Sequence, residues 1–168
     1  MQSSQITQPT LQLGATGAAV RELQTLLLQR VPEIPNLEVD GIFGEVTKLA
    51  VEVFQYRVFL KQDGIVDADT WKALYIGYRD DLPQLRRNSR GDDVARVQSV
   101  LKFSAMTREY MGFDGYYFGE VDGDFGPQTE AAVKAFQQHK NLVADGVIGS
   151  KTWAALMELA AIISHIGL

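Results

Sequence analysis

Apolar residues recur at helical spacing in two matching sets of three stretches. Val20, Leu23, Leu27 and Val31 lie on one face, with Leu26 beside them, while Arg21, Glu22 and Gln24 fall elsewhere. This predicts a first helix after Gly17, ended by Pro32 and Pro35. A second helix is expected from about Glu45 to Leu60, burying Leu49, Ala50, Val53 and Phe54. A third starts near Asp67, whose carboxylate suits an N-cap, and carries Trp71 and Leu74.

The same order then restarts. Gly91, Val94, Val97, Gln98 and Leu101 repeat Gly17, Val20, Leu23, Gln24 and Leu27 at an offset of 74. Asp122, Gly123, Phe125, Gly126, Thr129, Ala132, Val133, Phe136, Gln137, Asp145, Gly146, Thr152, Trp153 and Leu156 repeat residues 82 positions earlier, without a gap. The second copy is therefore eight residues longer, between its first and second helices. The expected fold is all-α, with two tandem three-helix units packed as a pseudo-repeat. The expected organisation is a disordered arm over 1–10, a first unit over 11–76, a linker over 77–84 and a second unit over 85–168. The second unit holds an aromatic insert over 102–120 and a C-terminal helix extension, Met157–Ser164, apolar on more than one face. That extension packs within the chain or against a second subunit, the first being preferred.

The repeated residues have structural uses. Glycine permits positive φ or close backbone approach. An Asp before Gly accepts hydrogen bonds from turn amides. Phe43 and Phe125 are expected to plug the base of each loop, and Trp71 and Trp153 the junction of the helices, with each indole N–H finding one acceptor. Gln24, Gln55, Gln98 and Gln137 sit beside apolar positions, where an amide can tie a loop to a helix.

Composition narrows the function classes. The net charge is −5, with no basic stripe to displace phosphate counterions, so nucleic acid is not an expected partner. The absence of cysteine excludes disulfide and cysteine-ligated metal frameworks. No apolar run reaches the roughly 18 residues of a membrane span. Met1–Thr10 lacks the basic and apolar regions of a secretory signal. His139 and His165 have no ligand-spaced partner for zinc. Asp122-Gly123-Asp124 opens like a calcium loop, but Val133 stands where the bidentate Glu belongs. No cofactor, metal or catalytic residue is assigned. Carboxylates are too plentiful for counting to exclude a glycosidase pair, yet the recurrent ones precede Gly in turns.

The pattern Asp-Gly-x-Phe-Gly-x-x-Thr-x-x-Ala-Val-x-x-Phe-Gln, followed by Asp-Gly-x-x-Gly-x-x-Thr-Trp-x-x-Leu, resembles the three-helix bacterial peptidoglycan-binding domain. Members of that family are commonly appended to cell-wall hydrolases. The resemblance covers Gly17–Leu74 and, more fully, Gly91–Leu156. It implies non-catalytic binding of glycan and stem peptide in a shallow groove, a location in the cell envelope, and a cell-wall hydrolase as companion. Carried onto the second copy, it points to Asp122, Asp124, Phe125, Gln128, Gln137 and Trp153 as ligand contacts. The first copy departs at two turns. It has Phe59 where the second has Asn141, and Asp67 where the second has Gly149, so its turns are expected to be built differently.

The insert holds Phe103, Tyr110, Phe113, Tyr116, Tyr117 and Phe118, and Asp114-Gly115 can turn a hairpin within it. An open loop this aromatic would be sticky, which favours packing onto its own unit. Tyr116 and Tyr117 are nevertheless carried as ligand candidates, because a ring with a hydroxyl suits a sugar. The competing functions are a protein–protein module, including a homodimer through the insert and C-terminal helix, and a small cell-wall hydrolase.

Overall fold

The computed structural model describes residues 7–167. The chain divides into two compact units, Met1–Asp80 and Asp81–Leu168. The described residues are all-helical apart from isolated bridges. The first unit comprises α1 (Ala18–Arg30), α2 (Glu45–Arg57) and α3 (Ala68–Ile76), with α1 packed on both others. The second comprises α4 (Asp92–Leu101), α5 (Ala105–Met111), α6 (Pro127–His139) and α7 (Ser150–Ile166). There α4 packs on α6 and α7. The core of the first unit joins Val20, Leu23 and Leu27 of α1 to Ala50, Val51 and Phe54 of α2 and Trp71 and Leu74 of α3, all almost fully buried.

Backbone pairing repeats between the units. Leu11 and Val66 exchange two hydrogen bonds (3.0 and 2.8 Å), as do Leu85 and Ile148 (3.1 and 2.8 Å). Gly17 N–H donates to the Gly41 carbonyl and Gly91 N–H to that of Gly123, both at 2.9 Å. Each indole N–H reaches a proline carbonyl ahead of its unit: Trp71 to Pro9 at 2.8 Å and Trp153 to Pro83 at 2.7 Å. Pro9 and Pro83, and Leu11 and Leu85, keep the offset of 74, so the repeat begins earlier than its glycines suggest.

Several expectations are corrected. Of the arm over 1–10, residues 1–6 lie outside the described residues, whereas Gln8 and Pro9 are tied to the first unit. The stretch 77–84 is not a free linker. Gly77 caps α3, the Arg79 guanidinium donates to the Phe59 carbonyl, and Pro83 accepts from Trp153. α2 ends at Arg57 rather than Leu60, and Leu49 faces solvent. Nor are the turns of the first copy built differently. Phe59 takes φ +61°, matching Asn141 at +56°. Asp67 (φ −88°, ψ −173°) matches Gly149 (φ −103°, ψ −168°), an extended conformation open to any residue. Burial decides the outcome at Phe59, whose ring is 1% exposed. Sealing it away is worth more than the left-handed backbone costs.

The insert contains no strand pairing among the described residues and no hairpin at Asp114-Gly115. It forms α5 instead, begun by Ser104, whose side chain accepts from Thr107 N–H, and ended by Gly112 at φ +76°. Tyr116 and Tyr117 N–H both donate to the Leu101 carbonyl at the end of α4 (3.0 Å each). The rings of Phe103, Phe113 and Tyr116 cluster with Phe136 and His139 of α6, at centroid separations of 5.1–5.8 Å. The insert thus packs on its own unit, and of its large hydrophobic side chains Met106, Tyr110 and Phe118 are the exposed ones. The C-terminal extension packs inside the same unit, where α7 meets α5 and buries Leu159 and Ala160.

Phe59→Gly removes backbone strain of about 1–2 kcal/mol but loses ring burial worth about 3–5 kcal/mol. The first unit is expected to lose about 2–3 kcal/mol in urea unfolding followed by NMR; unchanged or raised stability contradicts this balance.

Candidate functional site

Four loops of the chain are held by one arrangement. In each, a buried Gln on a helix faces an Asp-Gly turn. The Gln carbonyl accepts from the Gly N–H: Gln24 from Gly41 (2.9 Å), Gln55 from Gly64 (3.0 Å), Gln98 from Gly123 (2.9 Å) and Gln137 from Gly146 (2.9 Å). The Gln amide nitrogen donates to the Asp carboxylate of the same turn, at 2.7, 3.2, 2.9 and 3.1 Å in the same order. It also reaches a backbone carbonyl two residues beyond the Asp and the hydroxyl of Thr47, Thr70, Thr129 or Thr152. Each Asp in turn accepts from the N–H two residues on. The result is a closed polar clasp inside an apolar shell. It satisfies groups whose burial unpaired would cost about 1–3 kcal/mol apiece.

The clasps set the carboxylate chemistry. The Asp122 carboxyl lies below its ordinary value, held there by the Asp124 backbone N–H and then by the Gln98 amide. Asp145 is lowered in the same way by Val147 N–H and Gln137, and Asp40 by Ile42 N–H and Gln24. At Asp63 burial pushes the other way, but hydrogen bonds from Ile65, Gln55 and Lys61 prevail. A general acid for glycoside hydrolysis needs its pKa raised. These carboxyls are shifted in the opposite direction.

Against this frame the sequence candidates separate. Phe125, Tyr117 and Trp153, expected as ligand contacts, are only 1%, 4% and 3% exposed. They are core residues, the first plugging its loop. The Tyr117 hydroxyl donates to the Glu120 carbonyl and accepts from Gln98, and the indole of Trp153 is taken by Pro83. Gln137 borders open space, but its amide is committed to the clasp. Tyr116 is half-buried, with its hydroxyl hydrogen-bonded to His139 Nδ1. Asp122, Asp124 and Gln128 are exposed; Asp124 pairs with Arg90 at 2.7 Å.

What the second unit does present is a cleft of about 420 Å³ where α6 ends and α7 begins. The loop residues Leu142, Val143, Asp145 and Val147 wall it, with Asn141 on one side and Gly149–Thr152 on the other. Gln84 closes one edge. Its size falls in the range of small-ligand sites. Of the sequence candidates, only Gln137 lines it. The signal in the sequence is the pair Asn141 and Gly149, two of the turn positions at which the copies differ. They border the cleft, although they first drew attention only as turn residues.

The fold is thus a tandem helical module whose second unit bears an open cleft. The family model for the putative peptidoglycan binding domain matches residues 16–74 and 110–156, and the chain belongs to that family. Similar proteins include a probable N-acetylmuramoyl-L-alanine amidase of Bacillus licheniformis, 30% identical over 158 residues, which span 89% of this chain and 45% of that protein. The N-acetylmuramoyl-L-alanine amidase CwlM of Mycobacterium tuberculosis is 32% identical over 168 residues, 92% of this chain and 39% of that one. The chain thus spans less than half the length of these relatives. The crystal structure of the SleB N-terminal domain is 35% identical over 46% of this chain and 93% of that chain, with a TM-score of 0.38.

The clasps predict an acid limit to stability. Asp40, Asp122 and Asp145 have folded pKa values below the ordinary 3.8, so their contribution is present above that value. It is lost as pH falls through the lower folded values. The thermal midpoint is expected to hold from about pH 7 to 5 and to fall steeply below about pH 4. Asp122→Asn or Asp145→Asn, which keep an acceptor oxygen, should flatten that fall; an equally steep fall in both variants counts against the clasps as its source.

Proposed function

We propose that this chain is a non-catalytic module that binds bacterial cell-wall peptidoglycan and anchors or targets a protein to the wall, acting in the cell envelope with a cell-wall hydrolase. The observation that carries this reading is the tandem domain itself. Its two copies take up most of the chain, and the second presents an accessible cleft. The relatives' names support the hydrolase companion, since enzymes named as amidases contain a stretch similar to this chain. The non-catalytic reading is supported by the clasp carboxylates, each held ionised by hydrogen bonds it already accepts. His139 is likewise engaged in an aromatic cluster. Single-site affinity is modest on this reading, and two units on one polymer raise it only if both engage.

The test is co-sedimentation with purified sacculi at low and moderate salt, with released muropeptides assayed in parallel. The chain is expected in the pellet, with no release. A chain left in the supernatant refutes binding, and sustained release refutes the non-catalytic part.

A further inference from the structure

We infer that the cleft of the second unit takes the peptide arm of the wall polymer, by a free carboxylate end, rather than its sugar chain, and that the first unit does not share this site. The inference rests on the peptidoglycan-binding reading and names the part of the polymer that is held.

The walls carry the first half of the argument. Sugar rings are commonly held on the flat faces of aromatic side chains. Among the described residues no aromatic side chain lines this cleft. Its apolar surface comes from the branched aliphatic Leu142, Val143 and Val147, which suit small aliphatic side chains such as alanine. Its polar surface mixes the Asn141 amide, the Ser150 hydroxyl and two opposite charges, Lys151 and Asp145. That mixture matches a peptide, with amides to pair and a charged end, better than a neutral ring of hydroxyls.

The contrast between the copies carries the second half. The first-unit counterparts of Asn141, Gly149, Ser150 and Lys151 are Phe59, Asp67, Ala68 and Asp69. The backbone is the same at both helix starts, but the chemistry is reversed. In the first unit the Asp67 carboxylate accepts from Thr70 N–H at 2.9 Å, so the start of α3 already holds a carboxylate of its own chain. Asp69 adds a second negative charge in that turn. In the second unit Gly149 brings no side chain to the start of α7, and Lys151 stands where Asp69 stood. A ligand carboxylate in the cleft meets first-turn amides, Lys151 and an Asp145 already engaged by Val147 N–H and Gln137, whereas the matching turn of the first unit adds Asp67 and Asp69 to the equivalent Asp63.

Gly149 also supplies a discriminating variant. Its backbone is not in the left-handed region, and a Cβ there meets nothing within 4 Å. Gly149→Asp therefore fits, and it installs the internal carboxylate cap that the first unit uses. NMR titration of the labelled full chain compares a synthetic stem peptide with a free carboxyl end, the same peptide amidated at that end, and the peptide-free disaccharide. The free peptide is expected to shift the amides of residues 141–143 and 149–152, leaving 59–61 and 67–70 unmoved. Amidation should weaken binding at least tenfold, and the disaccharide should not shift the cleft. Gly149→Asp should keep the thermal midpoint of the wild type and lose peptide affinity at least tenfold. Cleft shifts with the disaccharide, equal shifts in both units, or unchanged affinity in Gly149→Asp overturns the inference. Wild-type chain that pellets with sacculi while its cleft ignores the peptide overturns the inference and leaves the wall-binding reading standing. Chain that neither pellets nor shifts overturns both.

Discussion

A tight Asp-Gly turn packed against a helix has backbone amides and carbonyls that face away from water and need partners. In this protein one residue type answers that need four times. The side-chain amide of a buried glutamine is the shape required: one acceptor for the Gly N–H, and donors for the Asp carboxylate, a turn carbonyl and a threonine hydroxyl. The Phe at the base of the first loop of each unit, and the Trp that follows the clasp threonine on each third helix, close the apolar shell around it. Each clasp joins a helix to the loop leading into the next core helix, α2, α3, α6 or α7. It thereby fixes where that next helix starts, and everything placed on the helix start follows from it.

This explains how two copies with one backbone can differ in what they present. The clasp residues cannot change without stranding buried polar groups, so they recur together. The residues on the outer side of the same turn are free of that constraint. At the start of the third helix one copy carries Asp67 and Asp69, and the other Gly149 and Lys151. The two turns keep the same φ and ψ. Surface chemistry diverges at those side chains, and the backbone is held constant by residues buried behind them. Phe59 and Asn141 show the same independence. A left-handed position that ordinarily calls for Asn or Gly is filled by a Phe that is almost fully buried.

The insert shows how a surface addition becomes structure. The insert over 102–120, eight residues longer than its counterpart, forms a short capped helix and an aromatic wedge. The wedge packs on α6, while the helix meets the lengthened α7. The apolar extension of α7 and the insert are thus related, since the second unit has both and each buries part of the other's surface.

Much of this was legible in the chain itself. Helical spacing and two offsets with few gaps imply two three-helix units, because amphipathic period and turn chemistry are local properties. The glutamines and the tryptophan indoles were readable as needing polar partners, for a buried amide or N–H must find one. What the chain alone left open depends on contacts distant in sequence. Whether Phe125, Tyr117 and Trp153 face ligand or core is decided by the helices that close over them. The partner of each indole lies far upstream, at Pro9 and Pro83. The left-handed conformation of Phe59 goes with its burial, which the local sequence does not show. The cleft is a tertiary object too, since its walls come from a helix end, a loop and a helix start, plus Gln84 from the chain before α4. Local sequence determined which elements form and which polar groups need partners. Tertiary packing decided which of them are spent on the fold and which remain at the surface for a ligand.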